Sequence, residues 1–123
     1  MANILIIEDN EQNLYLASFI LERHGHTILA ARDGAQGIQL AQEKMPDLIL
    51  LDIQLPVMDG YAVADELRRD SALAAIPIVA VTSYAMAGDR ERILSAGCYG
   101  YIEKPINPDT FLNEVMAHLR GGN

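Results

Sequence analysis

Short apolar runs punctuate the chain at Ile4-Leu5-Ile6-Ile7, Leu48-Ile49-Leu50-Leu51, Ile78-Val79-Ala80-Val81 and the brief Tyr99 to Ile102 stretch. Runs of this length without polar alternation suit strands that are buried on both faces. The segments between them repeat apolar residues at helical spacing. Glu11 to Arg23 puts Leu14, Leu16, Ile20 and Leu21 on one broad face, and Gly25 follows as a stop signal. Residues 27 to 31 predict a further strand, weaker in Ala30 and Ala31. Asp33 is a cap for a helix from Gly34 to Glu43 that buries Ala35, Ile38 and Ala41, and Pro46 closes it. Pro56 and Asp59-Gly60 mark a loop, with Asp59 capping a helix through Arg69, and Pro77 opens the next strand. Met86 to Ala96 is polar except for Ile93 and Leu94, which predicts a thinly anchored helix able to move. The last helix is the clearest: Phe111, Leu112, Val115, Met116 and Leu119 recur at spacings of three and four, with Pro108 in its first turn and Gly121 past its end.

Five strands thus alternate with five helices. Alternation of this kind predicts right-handed crossovers, a parallel sheet and helices on both of its faces. The expected fold is a flavodoxin-like, doubly wound (βα)5 three-layer sandwich with strand order 2-1-3-4-5. In such sheets ligands bind beyond the carboxyl ends of the strands. Five polar residues stand there: Glu8 and Asp9 after the first run, Asp52 after the next, then Thr82, then Lys104.

Three carboxylates on one edge need an explanation, because two of them about 4 Å apart repel by roughly 4 kcal/mol at an effective dielectric near 20. A proton or a divalent cation relieves that repulsion. With oxygen ligands only and no His or Cys beside them, the set selects Mg²⁺ or Mn²⁺ over zinc. Thr82 and Lys104 do not belong in a pure metal cage, but a hydroxyl donor and an ammonium both suit a phosphoryl group. Asp52, the lone carboxylate at its strand end, is the expected nucleophile and phosphoacceptor, with Glu8 and Asp9 as paired metal ligands. Lys104-Pro105 is an X-Pro bond of the kind that can be cis.

Composition narrows the partners. The 123 residues fit one domain, and nine basic against 17 acidic residues give a net charge of −8. That sign opposes direct binding to nucleic acid or to an anionic membrane and favours a protein partner. One cysteine, Cys98, leaves no internal disulfide and reads as a small buried hydrophobe. The start Met-Ala-Asn-Ile is no signal peptide and no run approaches a membrane span, so a soluble, cytoplasmic protein is expected. His24, His26 and His118 read as surface or helix-end residues with no part in phosphotransfer, and Arg68-Arg69, Arg90 and Arg92 as solvated helix faces.

With these pieces in order, the whole chain resembles the receiver domain of two-component response regulators. The matching stretches are Ile6-Ile7-Glu8-Asp9-Asn10, Pro46 to Asp52, Leu55-Pro56-Val57-Met58-Asp59-Gly60, Val81-Thr82-Ser83, Ala96-Gly97-Cys98 and Lys104-Pro105-Ile106. Ile53-Gln54-Leu55-Pro56 and Met86 to Arg92 are similar to the stand-alone DivK-type regulators. The resemblance implies that Asp52 accepts a phosphoryl group from a histidine kinase or a histidine phosphotransfer protein. It also implies that Glu8, Asp9, Asp52 and the Gln54 backbone carbonyl hold Mg²⁺, that Thr82 and Lys104 bind phosphoryl oxygens, and that Tyr101 is a rotamer switch coupled to Thr82. A downstream protein would be met by the fourth helix, fifth strand and fifth helix.

Glu8 stands where many receivers carry Asp, and its longer arm can reach a metal through water. Gln54 and Tyr84 flank the approach to the phosphoryl group and should tune its hydrolysis. Residues 1–123 are expected to form a single receiver domain with no output domain after Leu119, either stand-alone or as a receiver fragment of a hybrid histidine kinase. The expected protein is a signalling switch, not an enzyme, beyond catalysing its own phosphorylation and dephosphorylation. A small aspartate-nucleophile phosphatase would use the same aspartyl-phosphate, but it needs a second carboxylate where Gln54 stands. A flavin carrier would meet repulsion at Glu8-Asp9-Asn10-Glu11, and a degenerate receiver would lack one of the five edge residues.

Overall fold

The computed structural model describes residues 2–55, 58–83 and 87–121. Its elements run β1 (Asn3–Ile7), α1 (Glu11–Arg23), β2 (Thr27–Ala31), α2 (Gly34–Lys44), β3 (Leu48–Asp52), α3 (Gly60–Arg69), β4 (Ile78–Thr82), α4 (Ala87–Ser95), β5 (Gly100–Glu103) and α5 (Phe111–Gly121). The strands form one sheet in the order β2-β1-β3-β4-β5, every neighbouring pair parallel. The flavodoxin-like order expected from the alternation is the one observed.

Successive strand residues point to opposite faces, and the sheet separates its apolar side chains accordingly. Leu5, Ile7, Ile49, Leu51, Ile78 and Ala80 pack with Ala41 of α2, Val63, Ala64 and Leu67 of α3, and Ile93 of α4. Ile4, Ile6, Leu48, Leu50, Val79, Val81 and Ile102 pack on the other face with Leu14, Ala17, Ile20 and Leu21 of α1 and with Phe111 and Val115 of α5. Both β3 and β4 are buried along their whole length, which accounts for their unbroken apolar sequence.

Side chains cap the helices that begin at the carboxyl edge. Asn10, Asp33 and Asp59 accept hydrogen bonds from the backbone N–H groups of Asn13, Gln36 and Ala62 at 3.0, 2.8 and 3.0 Å. Gly25 has φ 89, in the left-handed region. The N–H groups of Gly25 and His26 fold back to the carbonyls of Glu22 and Leu21 at 3.1 and 3.2 Å, a Schellman closure of α1. Gly60 allows a close approach, because a Cβ there would lie 2.5 Å from Ile53 Cα and 2.6 Å from the Asp52 carbonyl. Its N–H donates to the Ile53 carbonyl at 3.0 Å. The start of α3 is thereby held against the end of β3.

Some local expectations shift. Ala35 is exposed; α2 turns Gly34, Gly37 and Ala41 to the sheet instead, so the helix lies about one residue's rotation from the predicted face. Leu94 is 56% exposed and only Ile93 of that pair is buried. Other side chains hold α4: the Arg92 guanidinium lies 3.9 Å from the Tyr61 ring centre and that of Arg90 lies 5.5 Å from Tyr101. Arg90 and Arg92 therefore grip their neighbours through cation–π contacts. A turn from Pro108 to Thr110 precedes the regular part of α5, which continues through Gly121.

Candidate functional site

Strand register builds the site. In β1 and β3, Ile4 pairs with Leu48 and Ile6 with Leu50, and continuing that offset one step beyond Ile7–Leu51 sets Glu8 opposite Asp52. Both continue the face that carries Ile4, Ile6, Leu48 and Leu50. On β5, Ile102 belongs to the same face, and Lys104 follows two residues later. The Lys104 N–H donates to the Thr82 carbonyl at 2.8 Å, so the ends of β4 and β5 stay joined at the site, and the Lys104-Pro105 peptide is cis.

The result is a buried ion cluster. Lys104 Nζ lies 3.0 Å from Glu8 Oε1 and 3.2 Å from Asp52 Oδ1, with the Glu8 and Asp52 side chains only 5% and 2% exposed. Backbone donors hold the same carboxylates. Asn10 N–H reaches Glu8 Oε2 at 3.3 Å, and Gln54 N–H reaches Asp52 Oδ1 at 2.9 Å. Burial pushes the Glu8 carboxyl up to about 7, reinforced by its hydrogen bond with Asp52 and by repulsion from it, against the opposing pull of Lys104. Burial alone would lower the Lys104 ammonium, but Glu8 and Asp52 outweigh it and the pKa stands above its ordinary value.

Glu8, Asp9 and Asp52 each offer a carboxylate oxygen, all within 4.8 Å of one another. Asp9 is exposed while the other two are buried, so the cluster opens to solvent on one side. One ammonium cannot neutralise three carboxylates, and a hard divalent cation with oxygen ligands fits this donor set.

Four of the five edge residues, Glu8, Asp9, Asp52 and Lys104, lie together. Asp52 is the lone carboxylate at the end of β3, and the pairing of β1 with β3 brings Glu8 of the neighbouring strand beside it, with Lys104 bridging the two. Thr82 is buried at the end of β4. Tyr101 is half-buried in β5 beneath Arg90, where it lines a groove of about 420 Å³ with Glu103, Pro105, Asn107, Thr110 and Glu114. Gln54 is exposed beside the site, and Tyr84 lies outside the described residues.

Two further residues were given no role from the sequence. Asn13 lines a small cavity with Glu8, Asp52 and Phe111, and Ser83 donates to Gln54 Oε1 at 2.8 Å. Ser83 had a signal in its place directly after Thr82; Asn13 had none beyond its spacing from Asn10. The histidines lie away from the cluster. His24 Nδ1 is 2.9 Å from the Ile20 carbonyl, His26 Nδ1 accepts from the Ala2 N–H at 3.1 Å, and His118 packs over Gly100, where burial lowers its pKa.

Comparison with known proteins agrees with this geometry. A family model described as response regulator receiver domain matches residues 4–116. The polar-differentiation response regulators DivK of Brucella anthropi and Brucella ovis are each 43% identical to the chain over 117 residues, covering 95% of both sequences. Chemotaxis protein CheY4 of Vibrio cholerae superimposes with a TM-score of 0.91 at 27% identity, over 96% of this chain and 98% of that one. The receiver domain of a sensor histidine kinase from Pseudomonas aeruginosa, solved with a magnesium ion coordinated in its active-site cleft, superimposes with a TM-score of 0.87. It is 33% identical, over 97% of this chain and 98% of its own.

Proposed function

The chain belongs to the response regulator receiver domain family of two-component signalling, and within that family we propose that it is a phosphorylation-driven switch with Asp52 as acceptor. The observation that carries this reading is the junction of Glu8, Asp52 and Lys104 next to the exposed Asp9. A structural ion pair needs no third, solvent-facing carboxylate, whereas phosphoryl transfer needs a nucleophile, a cation site and an open approach.

An Asp52 carboxylate oxygen attacks phosphorus of a phosphohistidine on a kinase or phosphotransfer partner. The new P–O bond forms as the P–N bond breaks, and the histidine nitrogen leaves with that electron pair. Glu8, Asp9, Asp52 and the Gln54 carbonyl would hold Mg²⁺, which supplies positive charge beside the phosphoryl oxygens. Lys104 is already on Asp52 Oδ1 and needs only to exchange a carboxylate oxygen for a phosphoryl oxygen. Thr82, buried next to the register position of Asp52, donates its hydroxyl to another oxygen. Movement of Thr82 changes the space open to Tyr101 and shifts the balance between its rotamers, which is the differential contact a population shift requires.

The readout is a protein partner docked on α4, β5 and α5. That surface carries Tyr101, the adjacent groove and a helix with Ile93 as its one buried apolar anchor among the described residues. The protein turns over no substrate beyond its own phosphoryl group and works in the cytoplasm.

Incubation with acetyl phosphate and Mg²⁺ should add one phosphoryl group that hydroxylamine removes, and chelation of the metal should prevent the addition. A hydroxylamine-stable adduct, or equal labelling in a chelator, would contradict the proposal.

A further inference from the structure

Helix α1 buries Leu14, Ala17, Ile20 and Leu21 and turns a second row of side chains to solvent. Glu11, Tyr15, Phe19 and Arg23 follow one another every four residues and all are exposed, Tyr15 at 70% and Phe19 at 44%. The order along the row is acid, ring, ring, base. The two rings stack with centroids 6.0 Å apart and planes 19° from parallel, and the Arg23 guanidinium lies 5.4 Å from the Phe19 centroid. At the other end Arg32 bonds Glu11 Oε1 and holds that carboxylate at the head of the row. Scattered apolar side chains on a surface need no explanation, but two adjoining exposed rings form a patch, and aromatic and Arg side chains are those that interfaces favour.

We propose that this row is a self-association surface, on which a second copy of the chain docks with α1 against α1 in antiparallel order about a two-fold axis. The order of the row selects that occupant. With the axis at the level of Ala17, position 11 meets position 23 of the second copy and position 15 meets position 19. Each acidic end then faces a basic end, twice in the pair, and four rings close together at the centre, which is the self-complementarity a two-fold interface requires. A parallel arrangement would instead set Glu11 on Glu11 and Arg23 on Arg23. Residues four apart form a row inclined to the helix axis, and two such rows lie side by side when the helices cross at about −50°, the commonest packing class. A net charge of −8 opposes contact between copies in general, so the complementary ends fix the register. One helix face from each copy is a small interface, and the association is therefore weak and reversible. It does not depend on the role of Asp52.

Sedimentation equilibrium of the wild-type chain should show a reversible monomer–dimer equilibrium with a dissociation constant between about 10 μM and 1 mM. Arg23→Glu and Glu11→Lys each replace two attractive pairs by two repulsive ones, and each should weaken the dimer about tenfold or more. Phe19→Ala removes a ring from both sides of the centre and should weaken it by a similar factor. Mixed one to one, the two charge variants should recover a heterodimer of about wild-type strength, because one then offers two acidic ends and the other two basic ends. All three positions are exposed, and unchanged circular dichroism spectra will show that the variants keep the fold. A wild-type chain that stays monomeric throughout that range leaves the row to a different protein and overturns the proposal. A dimer that neither charge variant weakens overturns it as well, as do weakened variants that fail to recombine.

Discussion

Replacing Lys104 by Met removes the cation that, among the described residues, contacts both buried carboxylates, while keeping most of the side-chain volume. At 3.0 Å from Glu8 and 3.2 Å from Asp52, each pair interacts by about 5 kcal/mol at an effective dielectric near 20, before the cost of desolvation. Breaking a buried pair by deleting one partner leaves a net loss of about 3–5 kcal/mol, because the remaining charge stays buried without compensation. Glu8 can limit that loss by taking up a proton. Its folded pKa of about 7 lies above the ordinary 4.5, so the protonated carboxyl contributes stability that is complete below about 4.5 and is lost as pH rises through 7. Lys104 is one of the groups lowering that pKa, so in Lys104→Met it climbs further and the loss extends to higher pH. The destabilisation should be about 3–5 kcal/mol near pH 8.5 and less than half of that near pH 5.5, read from urea midpoints without added metal. Equal destabilisation at the two pH values would refute the coupling of Glu8, Asp52 and Lys104.

The same proton bears on the metal. Mg²⁺ affinity should rise about tenfold per pH unit below 7 and level off above it, with about one proton released per ion below that pH, measured by titration calorimetry in buffers of different ionisation enthalpy; a pH-independent affinity would mean that the ion displaces no proton from Glu8. Ile93→Ala should cost about 2–5 kcal/mol and Leu94→Ala less than about 0.5 kcal/mol in urea denaturation, because only Ile93 is buried; similar costs would place α4 differently against the sheet. Asp59→Ala removes the cap bonded to the Ala62 N–H at 3.0 Å and should destabilise the fold by about 1 kcal/mol, with Asp59→Asn close to wild type.

Most of the fold was legible because a parallel sheet buried on two faces writes itself as unbroken apolar runs. Leu48 to Leu51 and Ile78 to Val81 could hardly be placed elsewhere. The five edge residues were legible for a related reason: the register of a parallel sheet delivers every strand's end to one edge. What stayed hidden depends on pairing between segments far apart in sequence. The link from Lys104 to both Glu8 and Asp52 follows from the β1–β3 offset, and the Ser83–Gln54 bond joins loops 29 residues apart. The attachment of α4 was hidden for another reason. A search for apolar periodicity sees Ile93 and Leu94 but gives no weight to Arg90 and Arg92, whose guanidinium groups cover Tyr101 and Tyr61.

Borohydride trapping locates the phosphoryl group itself. Reduction of an aspartyl-phosphate yields homoserine at the modified residue, which peptide mass spectrometry assigns to one position. After treatment with acetyl phosphate and Mg²⁺, homoserine should appear at position 52 and nowhere else, and should vanish in Asp52→Asn. A reduced residue at Asp9, or none at position 52 in protein that carries the phosphoryl group, would contradict the assignment of Asp52 as acceptor.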